Sequence, residues 1–143
     1  MTVPVLIVSH GDLARELLAS ARAISGQHPS AEHTAIHALC VDWRAGRVQA
    51  ARQIETRIRQ LDREHDSGVL ILTEMFGDTP CNSALRAAGV ARAAVVTGVN
   101  LPMVLSLCCG APDLELPDLA DWIWSNGRKS IQLAATGLAR PAK

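Results

Sequence analysis

Short apolar runs alternate with longer stretches of helical period along this chain. Val3 to Ser9 reads as a buried strand that ends abruptly in His10-Gly11-Asp12, and Asp12 to Ser25 follows as an amphipathic helix closed by Gly26. Gln27 to Glu32, with Pro29, is a polar loop, and Thr34 to Val41 is a second strand. Arg44 to Arg63 is a helix with Val48, Ala51, Ile54, Ile58 and Leu61 on one face. Val69 to Thr73 is a third strand. It runs into the turn-rich segment Glu74 to Pro80, where Asp78 or Thr79 is placed to cap a helix reaching about Ala88. Ala93 to Thr97 is a fourth strand ending in Gly98-Val99-Asn100. Leu101 to Cys109 and Leu116 to Ser125 are helices, and Lys129 to Ala134 reads as a short last strand, a candidate antiparallel edge. Residues 136–143 form the expected frayed tail. Strands alternating with helices predict an α/β fold, one domain over 1–143, with a mainly parallel sheet and helices on both faces.

A length of 143 residues suffices for one real core. Lys plus Arg (14) balances Asp plus Glu (14), so no global field favours nucleic acid or an anionic membrane. No run has the ~18 apolar residues of a spanning helix, and the first residues lack a basic leader. Cys40, Cys81, Cys108 and Cys109 lack CxxC spacing, so free thiols of a cytosolic protein are expected.

Parallel α/β sheets bind ligands at the carboxyl ends of their strands. The loops after the first, third and fourth strands share that edge and are expected to converge on His10. There His10 would act as nucleophile or base, Glu74 or Asp78 as the orienting carboxylate, and Ser9, Thr73 and Thr79 as hydroxyls, with N–H donors at Gly77 to Thr79. A helix start beside His10 suits a phosphate. His28, His33, His37 and His65 read as surface or structural. Arg47, Arg52, Arg57, Arg59 and Arg63 read as a solvated helical face, with a docking patch for an acidic partner as the alternative. A P-loop, a GxSxG elbow, a GxGxxG fingerprint and HExxH are all absent. His10, Glu74 and Asp78 could meet at a metal, but their spacing carries no metal signature, so neither metal nor cofactor is expected.

Three blocks, LIVSHGDLARELLASA, LTEMFGDTPCNSALR and VVTGVNLPMVL, occur in an order and at intervals that resemble the mannose/fructose-type enzyme IIA domain of the bacterial phosphoenolpyruvate-dependent phosphotransferase system. The resemblance covers roughly residues 3 to 134. It implies a cytoplasmic phosphotransferase in which His10 accepts a phosphoryl group from the carrier HPr and passes it to a separate IIB chain or serves as a regulatory signal. It also implies that Glu74 holds the other ring nitrogen, that Thr79 lies near the phosphoryl group, that Gly11, Gly77 and Asp78 offer backbone N–H donors, and that the chain forms a homodimer. Asn100 and Pro102 match the family as structural positions.

Two residues depart from the family pattern. Glu74 stands where an aspartate is usual, and Asp78 replaces the second glycine of a pair. Asp78 either faces the phosphoryl group and repels it or turns away as a helix cap. The alternatives are a IIA-like binding or regulatory module without transfer, and the phosphotransfer subunit of dihydroxyacetone kinase.

Overall fold

The structure is a computed structural model that describes residues 2–26, 35–89 and 91–134. The expected loop with His28 and His33 and the expected tail over 136–143 lie outside the described residues. The elements are β1 (Val5–His10), α1 (Leu13–Ser25), β2 (Ile36–Val41), a 3-10 turn (Trp43–Ala45), α2 (Arg47–His65), β3 (Val69–Thr73), α3 (Thr79–Ala88), β4 (Ala93–Thr97), α4 (Leu101–Cys108) and α5 (Leu116–Lys129). The fold is α/β, as the alternation predicts. One parallel sheet runs in the order β2-β1-β3-β4, with Val5 beside Ile36 and Leu70, and Val69 beside Ala93.

β1 and β3 are central strands with apolar side chains on both faces, which is why they read as continuous runs. Val5, Ile7, Leu70 and Leu72 pack with α1, α4 and α5 through Ala14, Leu18, Ala21, Val104, Leu107, Leu119 and Ile123. Leu6, Val8, Val69 and Ile71 pack on α2 and α3 through Ala50, Ile54, Ile58, Leu61, Ala84 and Ala87. Each fully buried aliphatic side chain contributes roughly 1.5–3 kcal/mol.

Two expectations need correction. The buried face of α2 runs through Ala50, not Val48, which is 69% exposed. The chain leaves β2 through the 3-10 turn and Gly46, so the helix starts at Arg47 and its first turn faces solvent. Lys129 to Ala134 is not a strand. α5 continues to Lys129, residues 131–134 form neither helix nor strand, and among the described residues nothing pairs with the outer edge of β4. Gly127 lies inside α5 at a point of close approach, where a Cβ would meet Met103 Sδ at 2.6 Å. Cys81 and Cys108 are buried, Cys40 and Cys109 partly so, and all four are free. No described helix is long and apolar enough to cross a membrane.

Candidate active site

The order β2-β1-β3-β4 makes the gap between β1 and β3 the switch point, where the chain winds away in opposite directions. Val8 pairs with Thr73, so the residues leaving β1 and β3 emerge side by side. Ser9 is fully buried and its Oγ accepts the Ala14 N–H at 2.7 Å, which fixes the turn into α1. The Ser9 hydroxyl is therefore occupied in holding that turn. Thr73 Oγ1 is buried and has no partner, and Asp12 faces solvent in an ion pair with Arg15.

His10, the last residue of β1, meets Glu74, the first residue beyond β3. One Glu74 oxygen, Oε1, accepts the His10 backbone N–H at 2.6 Å and lies 2.5 Å from ring Nδ1. A carboxylate only accepts, so Nδ1 carries the proton and Nε2 keeps its lone pair. The His10 side chain is 39% exposed and that of Glu74 18%, a reactive ring on a sheltered support.

Asp78 is the helix cap that the sequence offered as one alternative, and its second oxygen lies on the Nδ1 side of His10. Its Oδ1 accepts the Cys81 N–H at 2.7 Å and caps α3, with Pro80 in the first turn. Its Oδ2 is buried, has no hydrogen-bond partner and lies 3.7 Å from His10 Nδ1. Gly77, just before it, sits at φ +84, a backbone state costly for other residues, and Asn82 Nδ2 donates to its carbonyl at 3.2 Å. Gly77, Asp78 and Thr79 stand at the start of α3, where backbone N–H groups lack intrahelical acceptors. Gly11, at φ +51, forms the exposed turn on the other side of His10.

A cleft of about 410 Å³ opens beside His10, lined by Gly77, Asp78, Thr79 and Ser83 and by two arginines, Arg47 and Arg86. Both arginines escape the sequence reading. Arg47 read as part of a solvated face, but it is the first residue of α2, at the carboxyl end of a strand adjoining β1. Arg86 lies two helical turns after Thr79, so the two share a face of α3. Spacing and strand order together could have found them.

The loop after β4 shares the sheet edge but does not line this cleft, because β3 stands between β4 and β1. The start of α2, which follows β2, takes its place through Arg47 and Ala51. Asn100 caps α4 instead: Oδ1 accepts the Met103 N–H at 3.0 Å, and Nδ2 donates to Gly127 O and Ser130 Oγ, each at 3.3 Å. Pro102 sits in the first turn of that helix. His37 lies away from the cleft on β2, its Nδ1 3.0 Å from Arg57 Nη2. His65 is in the last turn of α2.

The fold therefore presents a histidine–carboxylate pair at its switch point, beside an open cleft. The profile of a family described as EIIA-man, PTS system fructose IIA component, matches residues 4–123. The chain is 27% identical over 141 residues to the PTS system fructose-specific EIIA component of Bacillus subtilis (strain 168), covering 96% of this chain and 90% of that protein. Among solved structures it is similar to a mannose/sorbose-specific IIA subunit of the phosphotransferase system from Enterococcus faecalis. That similarity has a TM-score of 0.74 and 25% identity over 98% of this chain and 100% of that one. A phosphotransferase component EIIA from Streptococcus agalactiae shares the fold, with a TM-score of 0.72 and 20% identity over 92% and 96% of the two chains. The chain belongs to the mannose/fructose family of IIA components of the sugar phosphotransferase system.

Proposed function

We propose that this chain is a cytosolic phosphocarrier in which His10 Nε2 accepts a phosphoryl group from phospho-HPr. The observation that carries the reading is the Glu74 oxygen held against both the backbone N–H and Nδ1 of His10. It fixes the ring's tautomer and direction, the usual requirement for an imidazole nucleophile. The Nε2 lone pair attacks phosphorus in line. The phosphorus–nitrogen bond of the donor breaks, and its electron pair leaves with the HPr imidazole. The Nδ1 proton stays against Glu74, which stabilises the charge that builds on the ring. Backbone N–H groups of Gly11, Gly77 and Asp78 and the Thr79 hydroxyl face the equatorial oxygens, and Arg47 and Arg86 supply opposing charge from the cleft wall. The group then moves to a separate IIB chain, or its presence on His10 is the signal.

Two further features support a homodimer: the outer edge of β4 lacks a partner strand among the described residues, and Ile131 and Leu133 are 81% and 84% exposed. A second reading, a IIA-like module that binds partners without transfer, draws on the unpartnered Asp78 oxygen beside His10.

Intact mass after incubation with phosphoenolpyruvate, enzyme I and HPr decides between the two. Transfer predicts one added, acid-labile phosphoryl group that His10→Ala lacks. No added mass, with the donors active on a control IIA, leaves the binding module.

A further inference from the structure

The carboxylate of Asp78 makes no bond in the transfer just described, and its environment asks for a positive partner. Its side chain is only 4% exposed, one oxygen is committed to the α3 cap, and the other is buried with nothing to receive. Burying an ionised oxygen without a partner costs several kcal/mol. The cap bond prevents the carboxylate from turning the orphan oxygen toward water.

Glu74 and His10 close the same space. One ligand atom from each of His10, Glu74 and Asp78 lies within 4.8 Å of the others. Atoms around a tetrahedral ion, each at about 2.0–2.2 Å from it, stand roughly 3.4 Å apart. The separation of 3.7 Å between His10 Nδ1 and Asp78 Oδ2 fits that figure. The 2.5 Å contact between Nδ1 and Glu74 Oε1 has to open by roughly an ångström once the shared proton is replaced. An imidazole nitrogen with two carboxylates suits zinc and its neighbours, whereas magnesium asks for six oxygens in near-octahedral array. Two carboxylates neutralise a divalent ion. The cleft beside His10 and Asp78 also carries Arg47 and Arg86, which favour an anion over a second cation.

We propose that His10, Glu74 and Asp78 form a binding site for a divalent transition-metal ion of the zinc class, and that its occupancy switches off phosphoryl acceptance. On binding, the Nδ1 proton leaves to solvent and the nitrogen–metal bond takes its place. The ring loses electron density, Glu74 no longer accepts from it, and Nε2 becomes a poorer nucleophile. The switch rests on the reading of His10 as phosphoryl acceptor; the metal site does not.

The test uses the full chain, stripped with a chelator, titrated with Zn²⁺ by calorimetry and with Co²⁺ by visible absorption. Asp78→Ser is the main variant, because serine still caps α3 with its hydroxyl while removing the second oxygen. The expected result is one ion per chain with a tetrahedral cobalt spectrum. Affinity should fall at least about tenfold in Asp78→Ser, since even outer partners of a metal site cost 10–100-fold. Zinc should raise the melting temperature of the wild type and not of the variant. His10→Gln should bind as weakly as Asp78→Ser. Equal zinc affinity in all three proteins, or an octahedral cobalt spectrum, overturns the site.

Transfer from pre-formed phospho-HPr is then measured with and without zinc. It should stall in the wild type, return with chelator and be indifferent to zinc in Asp78→Ser. Full transfer with zinc bound overturns the switch. No transfer even without zinc overturns the phosphocarrier reading and leaves the metal site to the titrations.

Discussion

α3 and α4 begin in the same way and end up with different work. Each follows a parallel strand, each has a side-chain oxygen accepting the N–H three residues on, and each has a proline in its first turn. At α4 the cap is an amide, and all of it is used: Asn100 holds Met103 with its oxygen and ties down the end of α5 with its nitrogen. At α3 the cap is a carboxylate, and half of it is left over, 3.7 Å from a histidine. The local sequence rules are the same in both places. What separates a structural joint from a reactive one is the strand beneath it, because β3 adjoins β1 and β4 does not.

The contrast breaks most completely at Glu74. In Glu74→Gln the amide still offers an oxygen to the His10 backbone but removes the charge that balances the imidazole. Phosphoryl acceptance should drop about 10²–10⁴-fold, the range seen when a histidine's orienting carboxylate is neutralised. Stopped-flow transfer from phospho-HPr reads this; a rate within a factor of three of wild type would mean that Glu74 is only a strut.

The two caps give the next test. Asp78→Asn keeps the α3 cap and removes the charge near the incoming phosphoryl group, so transfer in metal-free buffer should rise by about tenfold, or ~1.4 kcal/mol of relieved repulsion. Asn100→Ala should do the reverse. It should lower stability by about 1–2 kcal/mol in urea unfolding, through a lost cap and the lost amide bonds to Gly127 O and Ser130 Oγ, while the transfer rate holds. If Asn100→Ala changes the rate more than Asp78→Asn does, the two helix starts are not divided as strand order implies.

The same division explains how much could be read before the structure. β1 and β3 are buried on both faces, so VLIVS and VLILT were plain as strands, and the meeting of His10 with Glu74 followed from where those runs stop. Arg47 was hidden because a helix-start arginine looks like any solvated one until the neighbour of β1 is known. The alternating apolar positions Ile131 and Leu133 suggested a strand. α5 instead runs through Gly127, where Met103 leaves no room for a side chain, to Lys129, and both side chains are exposed. Which way Asp78 points could not be read from one dimension, since one oxygen caps α3 while the other lies toward His10.

The smallest effect sets His10 against His37, a second histidine held through Nδ1 among the described residues. His10 meets a carboxylate and keeps its proton on Nδ1. His37 meets a guanidinium, so its Nδ1 accepts from Arg57 and the proton sits on Nε2, which is buried without a partner. Burial, and then the positive charge of Arg57, push the pKa of His37 below the ordinary value of about 6.5. The sign of the pH dependence follows from linkage. As pH falls through the ordinary value, the unfolded chain takes up a proton that folded His37 resists, so the unfolded state gains. This loss of stability begins near that ordinary value and grows until the lowered folded pKa is passed, while above neutrality the residue contributes no pH dependence. His37→Gln, which can still accept from Arg57 through its amide oxygen, should therefore flatten the fall of Tm between about pH 7 and 5 and leave phosphoryl transfer unchanged. An unaltered slope would place the acid sensitivity elsewhere, and a change in transfer would mean that β2 communicates with the cleft through more than Arg47.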